Sequence, residues 1–218
     1  MALDGTLPGA WADPKVAFTT NSSTRSKILQ DVSPASGSLL GGSRLTDLVA
    51  TSTDAAAKDF ILWDGVAITT LTATAAITAQ NVITLSAGTW TGFLSNLSAD
   101  DSIMIFGAAN AGNNGTPLIV TNINGAALTV NGTPLTNETL PIGARLVRVN
   151  YRCRITVAAN QGTASGSSNL QVIGIGNDSV VDNSGLVFGP TGMLLISPVV
   201  TLSALPAQIS FSGKSAQY

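Results

Sequence analysis

The sequence contains no histidine and only one cysteine, and these two shortages restrict its chemistry. Without histidine, the Ser-His-Asp and Cys-His catalytic constellations, a histidine general base and histidine-containing zinc sites are all excluded. The one cysteine, Cys153, has no partner for a disulfide within the chain. Because most common hydrolase designs are thereby excluded, we predict no enzyme activity, no catalytic residue, no metal site and no cofactor.

Charge is also scarce. Only 10% of the 218 residues are charged, against roughly 25% in an average soluble domain. The net charge is -2, the sequence pI is about 4.8 and the mean hydropathy is +0.35. A protein surface with so few charged residues favours association with other subunits. Few like charges repel each other there, and few charged groups must be desolvated when the subunits meet. The acidic balance argues against a nucleic-acid partner.

Long uninterrupted apolar runs are missing as well. The stretch "LVFGPTGMLLISPVVTLSALPAQI" is broken by Gly, Pro, Thr and Ser well before the roughly 20 apolar residues that a membrane-spanning helix needs. The amino-terminal "MALDGTLPGAWADPKVAF" lacks the positive start and continuous apolar run of a secretory signal. We therefore predict no membrane partner and synthesis in the cytoplasm.

The acidic residues offer weak candidates for chemistry. Asp100 and Asp101 form the obvious carboxylate pair, as a glycosidase would need. However, neighbours on a strand point to opposite faces, and "SADDS" is typical of a turn before a strand. Asp178 and Asp182 lack the acidic density of a calcium loop, and "VIGIGND" lacks the third glycine and following helix of a dinucleotide loop. We predict structural roles for all of them.

Short runs of Thr, Val, Ile and Leu, separated by Gly, Asn, Asp and Pro, recur along nearly the whole chain. This pattern is typical of a sandwich or barrel and not of helices, so the predicted fold class is all-β. The best-organised stretch is "IMIFGAANAGNNGTPLIVTNINGAALTV" at residues 103–130. Within it, Asn124-Gly125 predicts a hairpin with both residues at the centre of a type I′ turn. Trp90 and Phe93 are predicted core aromatics.

Alternating charge marks the segment "LVRVNYRCRITV". Arg148, Arg152 and Arg154 fall on one face of the predicted strand, and Cys153 falls on the apolar face as a small core residue. Two interpretations remain open for the basic face. It contacts an acidic neighbouring subunit or polyanion, or it is a solvated face that also protects an edge strand.

Three segments of the sequence resemble parts of proteins of tailed bacteriophages. The segment "GFLSNLSADDSIMIFGAANAGNNGTPLIVTNINGAALTV" looks like the small β module that recurs in tail, fibre and other virion proteins. The segments "SRLTDLVATSTDAAAKDFILWDG" and "LSALPAQISFSGKSAQY" are similar to the opening and closing strands of a separate family of small phage structural proteins. Two features depart from that family: its usual histidine is Lys58 or Asp59 here, and an insertion interrupts its flanking parts.

The resemblance suggests a domain arrangement. Residues 31–73 and 157–218 would form a jelly-roll-like β-sandwich, and residues 74–156 would be inserted as a small β-barrel or meander. Residues 1–30 fit neither part and are predicted to be an extended arm, which either docks on a neighbouring subunit or is a loose terminus. The predicted subunit contacts are Trp11, Phe18, Arg148, Arg152 and Arg154.

Three classes of function follow from the resemblance and the composition. The first is a capsid decoration (cement) protein, located in the virion, that binds the major capsid protein and other virion subunits. It is expected to be a homotrimer, because shells offer threefold sites and a closed ring satisfies edge strands. The second is a tail, neck or fibre protein that attaches to the host surface, for which an exposed Trp63 or Trp90 would bind sugars. A glycan-cleaving enzyme is the third.

Overall fold

The structure is a computed structural model of the 218-residue chain. It describes residues 10–12, 15–19, 25–31, 43–79, 81–162, 170–173, 186–188, 192–203 and 208–217. In these residues, sheets of antiparallel strands form nearly all the regular structure, so the predicted all-β fold class is confirmed. The segment that holds Asp178 and Asp182 lies outside the described residues.

The described residues form sixteen strands, one helical turn and one 3-10 turn. The helical turn, α1, is Trp90–Phe93, and the 3-10 turn is Ala111–Asn113. The strands are β1 Ala10–Ala12, β2 Lys15–Thr19, β3 Lys27–Asp31, β4 Ser43–Ser52, β5 Lys58–Thr70, β6 Ala75–Thr78, β7 Val82–Leu85, β8 Ser102–Phe106, β9 Leu118–Asn124, β10 Ala127–Gly132, β11 Glu138–Leu140, β12 Arg145–Val157, β13 Leu170–Ile173, β14 Leu186–Phe188, β15 Met193–Pro198 and β16 Gln208–Gln217.

The chain divides into two compact units. The first unit contains Met1–Trp63 and Tyr151–Tyr218, and the second contains Asp64–Asn150. The chain therefore passes from one unit to the other inside β5 and β12, each of which is 13 residues long. The predicted junctions, 73/74 and 156/157, lie later in the chain than these, since a strand keeps its sequence pattern while it passes from one core to another.

The first unit is a β-sandwich. One layer has the strand order β1-β16-β4-β13, with β2 also paired to β16 and β14 to β4. The other layer contains, in order, β12, β5, β15 and β3. Both layers contribute side chains to one buried core, whose centre is a cluster of three phenylalanines. The ring centroids of Phe18 and Phe60 are 5.3 Å apart, and those of Phe60 and Phe211 are 4.9 Å apart.

The predicted amino-terminal arm is wrong for the described part of residues 1–30. Strand β2 pairs with β16, and β3 pairs with β15, so both are ordinary members of the sandwich. Phe18 is completely buried in the core of its own unit. Lys27 connects the two strands: its ammonium donates a hydrogen bond to the carbonyl of Ala17 and lies 4.9 Å from the centre of the Phe18 ring. Burial lowers the pKa of Lys27.

The second unit has the strand order β11-β6-β7-β10-β9-β8-β12, with antiparallel pairing throughout. Its core is a cluster of aliphatic side chains around the fully buried Trp90. The predicted meander is correct for β8, β9 and β10, but β10 then pairs with β7 and not with the strand that follows it in the chain. The second unit therefore consists of two groups of paired strands, β11-β6-β7 and β10-β9-β8-β12, which the pairing of β7 with β10 joins.

The predicted hairpin at Asn124-Gly125 is present, but its turn differs from the prediction. Asn124 pairs with Ala127, so the two central residues are Gly125 and Ala126. Only Gly125 has a positive φ, of 57°. A glycine at the first central position is typical of a type II′ turn, whereas type I′ needs a positive φ at both positions. Gly125 is therefore the residue that this hairpin requires.

Candidate functional site

The asparagine-rich loop before β9 is held by its own side chains. Asn113 is completely buried: its Nδ2 donates to the carbonyl of Thr136 at 2.8 Å and to Glu138, while its Oδ1 accepts from the N–H of Thr136 at 2.8 Å. Asn114 bonds Ala108 in the same way, with Oδ1 accepting from the N–H and Nδ2 donating to the carbonyl, both at 2.9 Å. These side-chain amides hold the loop against Ala108, Thr136 and Glu138, so they are structural groups.

The carboxylate pair next to β8 is a turn, as predicted. Asp101 Oδ2 accepts from the N–H of Ser98 at 2.8 Å, and Asp100 has a positive φ of 72°. Arg148 lies 3.8 Å from the same Asp101 oxygen and donates to the carbonyl of Asn96 at 2.9 Å. The turn residues therefore bind a guanidinium of their own unit and do not form a pair of converging acids.

The predicted contact residues on β12 are engaged within the chain. Arg154 donates to Asp59, which also accepts from the hydroxyl of Thr156. The Thr156 and Arg154 hydrogen bonds lower the pKa of the Asp59 carboxyl below its usual range. Arg152 is half-buried, and Cys153 is buried as predicted. Contact of these arginines with a second subunit stays a prediction.

Strand β12 pairs with β8 along Arg145–Val149 and has β5 as its other neighbour, so Arg148 does not lie at an edge. The described β8 pairing does not reach Arg152 or Arg154, so protection of an edge by that part of the basic face stays a prediction. Tyr151 falls two residues before Cys153, hence on the face predicted to be apolar, but it is 59% exposed.

The two predicted arm aromatics have different positions. Trp11 lies in β1 and pairs with Ala216 of β16. Phe18 belongs to the sandwich core, so its assignment as a contact to another subunit is wrong. Local sequence gives no sign of this core position, because Pro8, Pro14 and the polar run "TTNSSTRSK" around Phe18 are typical of an irregular segment.

The two tryptophans proposed as sugar platforms differ in exposure. Trp90 is fully buried, and its indole N–H donates to the carbonyl of Ile83 at 3.0 Å. Trp63 is half-buried, with its indole N–H donating to the Ser197 hydroxyl at 2.8 Å and Tyr151 edge-on at 6.1 Å. Both indole groups thus have internal partners.

A buried ion pair lies in the first unit. Lys58 Nζ is 3.9 Å from Asp54 Oδ2 and donates to the carbonyl of Thr201 at 3.1 Å. Asp54 accepts from the N–H groups of Ala56 at 2.9 Å and Ser203 at 2.8 Å. Burial alone would raise the pKa of Asp54, but these hydrogen bonds and the charge of Lys58 outweigh it, so the pKa is lowered. The group fastens residues 201–203 to the β4–β5 connection.

The remaining candidate is an open cleft of about 510 Å³ in the second unit. One wall comes from the end of β5 and the residues after it, and the other from the turn that contains α1. The lining residues are Thr69, Thr70, Thr72, Gly88, Thr89, Gly92 and Phe93. Four hydroxyls, one aromatic ring and two glycines therefore line the cleft, and none of these side chains is ionisable.

Residue Thr89 shapes one wall of this cleft. It is the N-cap of α1, and its Oγ1 accepts from the N–H of Gly92 at 3.2 Å. Gly88 has a φ of +87°, and a Cβ there would lie 3.0 Å from Phe93 Cε2. Phe93 is half-buried and packs against the core cluster, so its prediction as a core aromatic is confirmed in part. The missed signal was the threonine content of "ITTLT" and "GTWTGF".

The described residues contain no group of three or more His, Cys, Asp or Glu side chains able to hold a metal ion. In that same part of the chain, no helix is long and apolar enough to cross a membrane. Comparison with protein-family models, with curated proteins and with solved structures gave no match.

Proposed function

We propose that this chain is a non-enzymatic virion structural protein of a tailed bacteriophage, specifically a capsid decoration protein that stabilises the head shell. The observation that carries the proposal is the use of ionisable side chains as internal fasteners. Asp54, Asp59, Asp101 and Glu138 each accept hydrogen bonds from their own chain. Carboxylates used in this way hold the fold rigid, and a protein that binds a shell in many copies needs a rigid shape.

The low charge supports the same proposal. With 10% charged residues, little charge must be desolvated when the protein binds a shell or a second copy of itself. Among the described strands, β3 ends the order of one layer of the first unit, and β11 ends the order of the second unit. Edge strands offer unpaired backbone groups, which a closed trimer would satisfy. The proposed partners are the major capsid protein and two further copies of this chain.

The test is reconstitution on capsids of the parent phage that lack this protein. Purified protein is added in excess, capsids are sedimented, and the bound copies are counted against the major capsid protein. We expect saturation at a fixed ratio and a higher capsid melting temperature. Tails and host cells are the parallel samples. Binding to either of them without binding to capsids would refute the decoration role.

A second candidate function is host-surface attachment by a tail, neck or fibre protein. The observation that favours it is the cleft of the second unit, which offers hydroxyls and an aromatic ring to a ligand. Adsorption of the purified protein to host cells is the readout. A variant that blocks the cleft would reduce adsorption if this function is correct, and would leave capsid binding unchanged.

A further inference from the structure

We propose that the cleft of the second unit binds a neutral saccharide chain, with Phe93 as the stacking surface and threonine hydroxyls as the hydrogen-bonding groups. The inference concerns the cleft alone and goes beyond the capsid-decoration role. A decoration protein or a fibre protein can carry such a site. Its experiment uses the isolated protein and soluble sugars, so its failure and the failure of capsid binding are distinguishable.

The lining chemistry selects the class of ligand. A threonine hydroxyl donates one hydrogen bond and accepts others, and a sugar hydroxyl does the same. Thr70 and Thr72 are exposed, and their hydroxyls make no hydrogen bond to another described residue. A charged ligand would find no counter-charge among the lining side chains. A purely apolar ligand would strip water from four hydroxyls without replacing their hydrogen bonds.

The size and the aromatic wall agree with this class. A volume of about 510 Å³ falls within the roughly 300–1,000 Å³ of typical small-molecule sites. Phe93 is half-buried and tilted at 54° against Trp90, with ring centroids 6.5 Å apart. The buried neighbour positions the ring, and the exposed part of Phe93 offers an apolar surface to the C–H groups of a sugar.

Backbone hydrogen bonds hold both walls in place. On one side, the N–H of Leu71 donates to the carbonyl of Ala144 at 2.8 Å. On the other, the N–H of Trp90 donates to the carbonyl of Gly125 at 3.0 Å. Thr74 and Ser86 join the two segments, hydroxyl to hydroxyl at 3.0 Å and backbone to backbone at 2.9 Å. A site formed before binding avoids the cost of ordering its walls when the ligand arrives.

The experiment measures saturation transfer by NMR from the full-length protein to three probes: maltotriose, tri-N-acetylchitotriose and the anionic trigalacturonic acid. We expect transfer to at least one neutral probe, with a dissociation constant of about 1 mM, and none to the anionic probe. Thr70→Val and Thr72→Val remove hydroxyls and keep the side-chain shape. Together they should weaken binding about tenfold, and Phe93→Leu should abolish it.

Thr133→Val is the matched control, because Thr133 is an exposed threonine of the same unit outside the cleft lining. It should bind the probes as the parent protein does. Thermal melting of each variant shows that the fold is retained. No transfer to either neutral probe at about 10 mM would overturn the proposal, as would a preference for the anionic probe. Equal binding by the parent and the double threonine variant would overturn it as well.

Discussion

Asp54 and Lys58 form an ion pair, 3.9 Å between Oδ2 and Nζ, in which the aspartate is completely buried and the lysine is 9% exposed. Two backbone N–H groups also point at the carboxylate, from Ala56 and Ser203. A buried charge is tolerated only when it is paired and hydrogen-bonded, and this one is. Because Ser203 lies far along the chain from Asp54, loss of the carboxylate would leave Lys58 and the N–H of Ser203 without this partner.

Asp54→Asn should therefore destabilise the protein, and by an amount that depends on pH. The asparagine side chain would place its own N–H group against the N–H of Ala56 or Ser203, so one of these two hydrogen bonds is lost. We therefore expect the free energy of unfolding in urea to fall by about 2 kcal/mol at pH 7. The pKa of Asp54 is lowered by folding, so its contribution is fully present above the unfolded value of about 3.9 and is lost as pH falls through the folded value. The difference between parent and variant should shrink accordingly below about pH 4.

Asp59→Asn is the control for this prediction. Its pKa is also lowered, by Thr156 and Arg154, but its side chain is 30% exposed. Exposed ion pairs contribute about 0–1 kcal/mol, so the change in the free energy of unfolding should be smaller. An Asp54→Asn loss that is independent of pH from 7 to about 2 would contradict the assignment of Asp54 as a buried carboxylate.

Phe18→Ala tests the finding that β2 belongs to the sandwich and not to an arm. Phe18 contacts Phe60 and Phe211 in the core, and large-to-small changes there cost about 3–5 kcal/mol. Lys15→Ala in the same strand removes an exposed side chain and should change the free energy of unfolding by less than about 0.5 kcal/mol. Urea unfolding measures both. Equal stability of Phe18→Ala and the parent would show that β2 is a detachable arm.

Local patterns predicted some parts of this fold and missed others. The β9–β10 hairpin could be predicted because a glycine between two runs of strand-forming residues is typical of a tight turn. Trp90 was also correctly assigned to the core. Strand β2 was missed because it pairs with β16 at the opposite end of the chain, Phe18 against Ile209. No local pattern reports a contact between segments so far apart.

The cleft was missed for a related reason. The threonines of residues 69–72 and the α1 turn meet because the β6–β7 hairpin between them brings its two ends together. In the sequence, each threonine only marks a strand or a turn. The position of the two junctions inside β5 and β12 was hidden in the same way, since a strand keeps its pattern while it passes from one core to another.

Gly125→Ala tests the type of the hairpin turn. The added Cβ meets nothing within 4 Å, so its cost comes only from the positive φ of 57°. We expect a loss of about 1–2 kcal/mol in the free energy of unfolding. Asn124→Ala should cost less than about 0.5 kcal/mol, because Asn124 lies outside the two central positions. The reverse order of the two losses would support a type I′ turn centred on Asn124-Gly125.

Asn113→Ala tests whether the asparagine-rich loop is held by the buried amide. The change leaves the N–H and carbonyl of Thr136, and one oxygen of Glu138, without the partner they have in the parent protein. A hydrogen bond contributes about 0.5–1.5 kcal/mol net, and one to a charged group about 1.5–3 kcal/mol, so a total loss of at least about 2 kcal/mol is expected.

Asn122→Ala is the matched control for Asn113→Ala, because Asn122 is exposed on β9 and should tolerate the change within about 0.5 kcal/mol. Hydrogen exchange adds a local readout to urea unfolding. The amide of Thr136, which donates to Asn113, should lose its protection in the Asn113 variant, while the amide of Val120, which donates to the carbonyl of Asp101, keeps it. If the Thr136 amide stayed protected, the loop would be held by contacts other than this side chain, and its asparagines would be open to a role in binding.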